Sequence, residues 1–418
     1  MISAKKIHIV GISGAGVSAL AVLLRQQGAV VSGSDLETGG HSAENVPADA
    51  ELLIYSNAVP EDNAERAKAR EMGIRQLSYP EALGEYSSGK KIIAVSGTNG
   101  KTTTTAMIAA ILTEAGLDPT VLVGSKVLAW GSNARLGKSE YLVLEADEYR
   151  RAFLNYNPDI VVVTNIAPDH LDYYKDLEDI KTAFFQFTQK IKPGGVLVYN
   201  VEDESVSWVA QKYGGQAIGF AASTTNYKLR VPGKYNKANA QAAAAVAAVL
   251  GIGDETIKYA LESFAGTWRR FERVGKFGET EIISDYAHHP DSVRGTLEAA
   301  AKIYDNKKVL MVFQPHQHNR TKNLFHEFVQ AFCDSTVDDI LLAEIFEVAG
   351  REETADRDVS SKDLQVAIAK CGKNARYAKS LADCEEQLRK IAKQYDAVII
   401  MGAGDIYKVA DKLVTSNK

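Results

Sequence analysis

Cysteine is scarce in this chain: three in 418 residues, Cys333, Cys371 and Cys384, with no CxxC pair and no metal-ligand spacing. That usage fits a reducing compartment and excludes both a disulfide-stapled scaffold and a thiolate metal knuckle. Long hydrophobic runs are missing as well. The longest, "AAAAVAAVLGIG" from Ala242, is too short and too alanine-rich to span a bilayer. The N-terminal "MISAKKIHIVGI" enters a strand directly, without the apolar core of a signal peptide. Charge of one sign is lacking too: 48 Lys and Arg against 53 Asp and Glu leave a net −5. No overall basic field therefore argues for nucleic acid or an anionic membrane. These absences leave a soluble cytoplasmic protein with no membrane insertion, whose local basic residues can still meet a phosphorylated metabolite.

What is present is the alternation of α/β architecture. At 418 residues the chain exceeds one hydrophobic core, and its 45% apolar and 24% charged residues are ordinary for globular domains. Strands are expected at "KKIHIVGI", "AVVSGSD" and "AELLIYSNAV", then "IIAVSG", "TVLVGS", "YLVLEA", "IVVVTNI" and "GVLVYN", and finally "KVLMVFQPH", "DDILLAEI" and "DAVIIMGAG". Near-continuous Val/Ile/Leu runs mark parallel strands covered on both faces. A turn-rich stretch, "YNVEDES…NYKLRVPGKYN", precedes an alanine-rich helix over 237–250. No internal repeat or low-complexity tract appears. The simplest division is three α/β domains in series, 1–88, 89–270 and 271–418: a Rossmann-like domain, a P-loop-type mononucleotide domain with a largely parallel sheet, and a second Rossmann-like domain.

Two glycine loops carry the chemistry. The first, "IVGISGAGVSA" from Ile9, runs from a strand through a turn into a helix, the geometry that presents backbone N–H groups to a phosphate. Gly14-x-Gly16-x-x-Ala19 fits the dinucleotide fingerprint, and Asp35 follows about 20 residues on, so NAD stays open at this point. The second, "AVSGTNGKTTTT" from Ala94, places Lys101 and Thr102 at a helix start behind a tight turn. Loop N–H groups can cradle phosphate oxygens, Lys101 can neutralise the outer phosphates, and the Thr102 hydroxyl can ligate Mg²⁺. Val95 stands where the strict P-loop pattern has its first glycine.

A nucleotide site needs carboxylates for its metal. "YLVLEADEY" delivers Glu145, Asp147 and Glu148 to a strand end, and Glu145, nearest the strand, is the best-held candidate. "VVVTNIAPDHLDYY" brings Asn165, Asp169, His170 and Asp172 to the same edge.

In order, "GTNGKTTTT", "EADE", "VTNIAPDHLDYY", "PGKYNKANAQAA", "RRFERVG", "DYAHHP", "FQPHQHNRT" and "MGAGDI" resemble the signature segments of the Mur ligases, over nearly the whole chain. The resemblance implies an ATP- and Mg²⁺-dependent amide-forming ligase of peptidoglycan precursor synthesis. Such a ligase phosphorylates the carboxylate of UDP-N-acetylmuramate and lets an amine displace the phosphate. The members that use L-alanine match best; a murein tripeptide ligase of cell-wall recycling is the alternative. An NAD-dependent oxidoreductase leaves the second loop unexplained.

The resemblance also assigns residues. Gly97, Thr98, Asn99, Gly100, Lys101, Thr102, Thr103, Asn239, Arg270 and Asp285 fall to ATP, with Asn239 at adenine unless it only caps the alanine helix. Thr102, Glu145 and His170 fall to the metal, and Lys101, Glu145, His170 and Arg320 to catalysis. Tyr286, His288, His316 and Arg320 fall to the amino acid and acyl end. Gly11, Ser13, Gly14, Ala15, Gly16, Asp35, Ser56 and Asn57 fall to the UDP-substrate, which makes the first turn a substrate handle. Departures from the pattern are Asn99 in place of a common histidine, Gln317 in place of an arginine, and a connection after Asp35 too short for the usual crossover helix. Phe184 or Phe185 stands where later-stage ligases carry a carbamylated lysine, with Lys181 misaligned, so no carbamylation is expected.

Overall fold

The computed structural model describes residues 2–170, 173–224, 227–337, 339–347 and 357–415. They form two compact units, Met1–Arg230 with Asn236–Thr267, and Val231–Tyr235 with Trp268–Lys418.

The first unit holds two sheets. Strands β1 (Lys6–Val10), β2 (Val30–Ser34), β3 (Leu52–Tyr55) and β4 (Arg75–Ser78) pair in parallel in the order β2-β1-β3-β4. Val17, Leu20, Leu23 and Leu24, at helical spacing, bury one stripe of the helix Ala15–Gln26 in the core of this unit. Between β2 and β3 the chain makes only two short 3₁₀ turns, Leu36–Thr38 and Ala43–Asn45. The crossover helix is absent there, as the short sequence implies.

The second sheet comprises β5 (Lys91–Ser96), β6 (Thr120–Val127), β7 (Ser132–Arg135), β8 (Tyr141–Glu145), β9 (Ile160–Val163), β10 (Val196–Asn200) and β11 (Gln216–Phe220). Its order is β11-β10-β9-β5-β8-β6-β7, with only β7 antiparallel. Strand β5 lies between β9 and β8, so the loop that follows β5 opens beside the ends of both. The helix Lys101–Glu114 after that loop is buried along most of its length, which fixes its first turn.

The other unit contains β12 (Glu272–Phe277), β13 (Thr280–Asp285), β14 (Val309–Phe313), β15 (Asp339–Ala343), β16 (Asn374–Ala378) and β17 (Ala397–Met401), ordered β12-β13-β17-β14-β15-β16. A β12–β13 hairpin edges an otherwise parallel sheet with an apolar cluster on each face.

Several sequence expectations are corrected. Strands β7, β11 and β16 escape the apolar-run criterion because each is a sheet edge with a largely exposed or half-buried sequence, "SNAR", "QAIGF" and "NARYA". The "turn-rich" stretch contains the helix Glu204–Tyr213, whose start is fixed by the Asp203 carboxylate accepting the Val206 N–H at 2.9 Å. The alanine-rich helix begins earlier than expected, at Lys234. Cys333 and Cys371, read as unpaired, form a disulfide with Cα atoms 5.7 Å apart; a separation of 38 residues gives no local spacing signal. Cys384 is a buried free thiol. Among the described residues no helix is long and apolar enough to cross a membrane.

Candidate active site

The loop after β5 is clamped by the chain leaving β9. Asn165 accepts the Thr98 N–H on its carbonyl at 3.0 Å and the Asn99 N–H on its side chain at 2.9 Å. The Thr164 hydroxyl and the Asn165 amide both donate to the Asn99 carbonyl, at 2.6 and 2.8 Å. Gly100 sits at φ +85°, and a Cβ there would collide with the Asn239 side chain, so only glycine lets the loop close against that residue. Asn239 is buried, accepts the Thr104 hydroxyl at 3.2 Å and donates to Asn236 at 3.1 Å. It lies inside the helix Lys234–Val249, so the capping alternative fails, and its contact is with the phosphate loop itself. Asn236, which sequence reasoning passed over, shares the asparagine chemistry three residues upstream.

Lys101 opens the helix and turns its ammonium back. It donates to the carbonyls of Gly97 and Thr98 at 2.6 and 3.2 Å and to Glu148 Oε1 at 3.0 Å. Burial opposes the lysine charge, but Glu148, Asp147 and Glu145 outweigh it and raise its pKa above the ordinary value. Glu148 is itself buried, and that burial pushes its carboxyl up to about 7 despite the lysine.

Sequence position alone favours Glu145; the structure gives all three acids a place. Glu145 accepts the Thr102 hydroxyl at 3.1 Å and the Gly124 N–H at 2.6 Å. His170 instead groups with Asp147 and Glu148, one ligand atom from each lying within 4.8 Å of the others. Its backbone is left-handed, φ +53°, and its ring lies 4.7 Å from that of Tyr149. Carboxylates with one hydroxyl and one imidazole suit a hard divalent cation, and buried Glu148 Oε2 has no hydrogen-bond partner among the described residues. The residues therefore fit a magnesium site. Asp172 lies outside the described residues. Thr103 is buried in the first turn. Lys181 pairs with Glu178 and lies over Trp208, and Phe184 is fully buried.

The first glycine turn sits at the switch point of its sheet, where β1 lies between β2 and β3. Gly11 at φ +80° and Ile12 give their N–H groups to the Ser34 carbonyl at 2.9 and 3.0 Å. Ser13 N–H donates to Asp35 at 2.9 Å, and Gly14 precedes the helix that starts at Ala15 and Gly16. Ser56 follows β3 directly against Gly11, and the Asn57 carbonyl accepts Arg150 Nη1 at 3.1 Å. All eight candidate substrate residues thus belong to one edge of the β2-β1-β3 array. Arg150 and Arg151, both left-handed, follow the acidic segment; Arg150 reaches that edge, whereas Arg151 pairs with Asp179 at 2.6 Å.

The other unit assembles its candidates into a chain of rings. Arg270 lies 4.8 Å from the Tyr286 ring, Tyr286 5.2 Å from His288, and His288 5.7 Å from His316. Arg320 Nη1 lies 3.2 Å from His316 Nδ1, and Phe346 stacks on His316 at 13°. Asp285 is buried rather than presented as a free acceptor for ribose. It takes the N–H groups of Phe271 and Ala287 at 2.7 and 2.8 Å and the Thr296 hydroxyl at 3.1 Å, and burial raises its pKa. Arg269, also missed, is buried, donates to the carbonyls of Gly402 and Gly404, and lies against the rings of Trp268, Tyr286 and Tyr407.

Three family models match in chain order: "Mur ligase family, catalytic domain" over residues 6–91, "Mur ligase middle domain" over 95–226, and "Mur ligase, glutamate ligase domain" over 269–404. This chain belongs to the Mur ligase family. Among Mur ligases, the UDP-N-acetylmuramate–L-alanine ligase of Desulfitobacterium hafniense is 39% identical over 98% of this chain and 99% of its own. That of Caldanaerobacter subterraneus is 38% identical over 99% and 98%. A solved UDP-N-acetylmuramate–alanine ligase from Thermotoga maritima superposes with a TM-score of 0.82 at 29% identity, covering 99% of this chain and 100% of that one. A murein peptide ligase from Psychrobacter arcticus, TM-score 0.70 at 24% identity, shares the fold.

Proposed function

We propose that this Mur ligase joins L-alanine to the carboxylate of UDP-N-acetylmuramate, using ATP and Mg²⁺, in cytoplasmic peptidoglycan precursor synthesis. The observation that carries the reading is the phosphate loop, with Lys101 on Glu148 and Thr102 on Glu145, beside the Asp147, Glu148 and His170 cluster, in a chain similar over its whole length to ligases of that name. Residues 1–88 serve the sugar nucleotide, 89–270 ATP, and 271–418 the amino acid and the nucleotide.

In the first step a substrate carboxylate oxygen attacks the γ-phosphorus of ATP, and the bond to the β,γ-bridging oxygen breaks, giving acyl phosphate and ADP. Both reactants are anions, so catalysis is chiefly positioning and charge neutralisation. Asn165 takes the Thr98 and Asn99 N–H groups, so the N–H groups of Gly100, Lys101 and Thr102 at the helix start are the ones that hold phosphate oxygens, and Lys101 neutralises charge on the transferred group. Thr102 with Glu145, and His170 with Asp147 and Glu148, are the residues that would hold magnesium, which would supply Lewis-acid charge stabilisation when bound. In the second step the alanine amine attacks the acyl carbon, phosphate leaves with the C–O bond, and the nitrogen loses its proton. Arg320, steadied by His316, suits the alanine carboxylate.

The test is ATP-dependent phosphate release with UDP-N-acetylmuramate and, in parallel, L-alanine, glycine, L-serine or murein tripeptide. Turnover with L-alanine supports the reading; turnover with tripeptide alone overturns it.

A further inference from the structure

Glu65 is the second residue of the helix Ala64–Glu71 and has no exposed surface, yet its carboxylate serves none of the steps above. It is among the most heavily bonded side chains of the first unit. His8 Nε2 lies 2.7 Å away, the Ser34 hydroxyl donates at 2.7 Å, Asn45 Nδ2 at 2.9 Å and the Ser42 N–H at 3.1 Å, with His41 Nδ1 at 3.3 Å. Burial raises its pKa, but the donors outweigh burial and hold the carboxyl below the ordinary glutamate range.

The placement of these donors matters more than their number. Only His8 comes from a strand interior. Ser34 ends β2, and His41, Ser42 and Asn45 belong to the connection that follows it, which has no α-helix. Ser34 also presents its carbonyl to the N–H groups of Gly11 and Ile12, and the next residue, Asp35, takes the Ser13 N–H. One carboxylate therefore ties the short connection to the strand end that sets the glycine turn.

We infer that Glu65 is a positioning residue for the sugar nucleotide: it stands in for the missing crossover helix and holds the Gly11–Gly16 turn in its phosphate-receiving form through Ser34. The inference rests on the reading of that turn as the UDP-substrate site. Displacing a binding turn by a fraction of an ångström weakens the ligand it holds and leaves groups elsewhere in place.

Glu65→Gln keeps the volume but removes the charge and turns one of the two acceptor oxygens into an NH₂ donor, and Ser34→Ala removes the hydroxyl that meets Glu65 and His41 while leaving the carbonyl that the turn uses. In full-length protein, well below the melting temperature, KM for UDP-N-acetylmuramate should rise about ten-fold or more in each, with KM for ATP and L-alanine within about two-fold. Calorimetric affinity for the sugar nucleotide should fall in step, and the double variant should be no worse than the weaker single one. Unchanged sugar-nucleotide KM in a folded Glu65→Gln chain, or equal rises for all three substrates, overturns the role of Glu65. If Glu65→Gln fails to fold, Ser34→Ala decides by the same criteria. A wild-type chain that binds no UDP-N-acetylmuramate overturns the reading of the turn itself.

Discussion

Lys101 Nζ lies 3.0 Å from Glu148 Oε1, the same oxygen that lies 3.9 Å from His170 Nε2. One carboxylate thus joins the lysine of the phosphate loop to the imidazole after β9, and the two ends of the candidate phosphoryl-transfer site share a charge.

Removing the ammonium should disable that site without disturbing the fold. Lys101→Met keeps the aliphatic stem and should lower ATP-dependent phosphate release by roughly 10²–10³-fold or more, the loss seen when one preorganised charge stabiliser is deleted. Circular dichroism and melting temperature report the fold. Activity within about ten-fold of wild type speaks against the loop's role.

Glu148 gives a pH signature. Burial disfavours its ionised form, so the folded chain holds the proton more tightly than the unfolded chain does, with a pKa of about 7 against 4.5. Its contribution to stability is complete below pH 4.5 and is lost as pH rises through about 7. Urea unfolding across that range should show wild-type stability declining relative to Glu148→Gln. Parallel curves contradict the placement.

Arg320 is held beside His316, at the end of the ring chain that starts at Arg270. Arg320→Ala should raise KM for L-alanine about ten- to a hundred-fold, the worth of a charged hydrogen bond, with little change for ATP. Lysine should rescue only partly, because it lacks the planar fork that grips a carboxylate at two points. Equal effects on both substrates exclude an amino-acid role.

The Cys333–Cys371 bond closes a separation of 38 residues around β15. Protein prepared without reductant should titrate one thiol, Cys384, after denaturation. Cys333→Ser should cost roughly 2–4 kcal/mol of stability in the non-reduced protein. Three titratable thiols exclude the bond.

Much of the fold was legible because buried parallel strands advertise themselves: "IVVV" and "AVIIM" allow no other easy reading, and "GTNGKTTTT" marks its own strand, turn and helix. The edges were not. "NARYA" carries little apolar signal since an edge strand is part solvated, and the helix Glu204–Tyr213 hides among the polar residues of its exposed face. At the site, Lys101, Thr102, Glu145 and His170 could be picked from motifs. The pairing of Lys101 with Glu148 could not, because three acids and two loop carbonyls lie around one flexible lysine and only the folded packing chooses among them. Glu65 gave no motif at all: its donors are scattered from His8 to Asn45 and meet only after folding.

An acyl phosphate made by ATP on the sugar-nucleotide carboxylate and captured by L-alanine moves one carboxylate oxygen into the released phosphate. The direct measurement uses UDP-N-acetylmuramate labelled with ¹⁸O in that carboxylate, with ATP, Mg²⁺ and L-alanine, and mass analysis of both products. One labelled oxygen should appear in the released phosphate, and the nucleotide product should gain the mass of one alanine residue. Unlabelled phosphate, or no alanine in the product, contradicts the account.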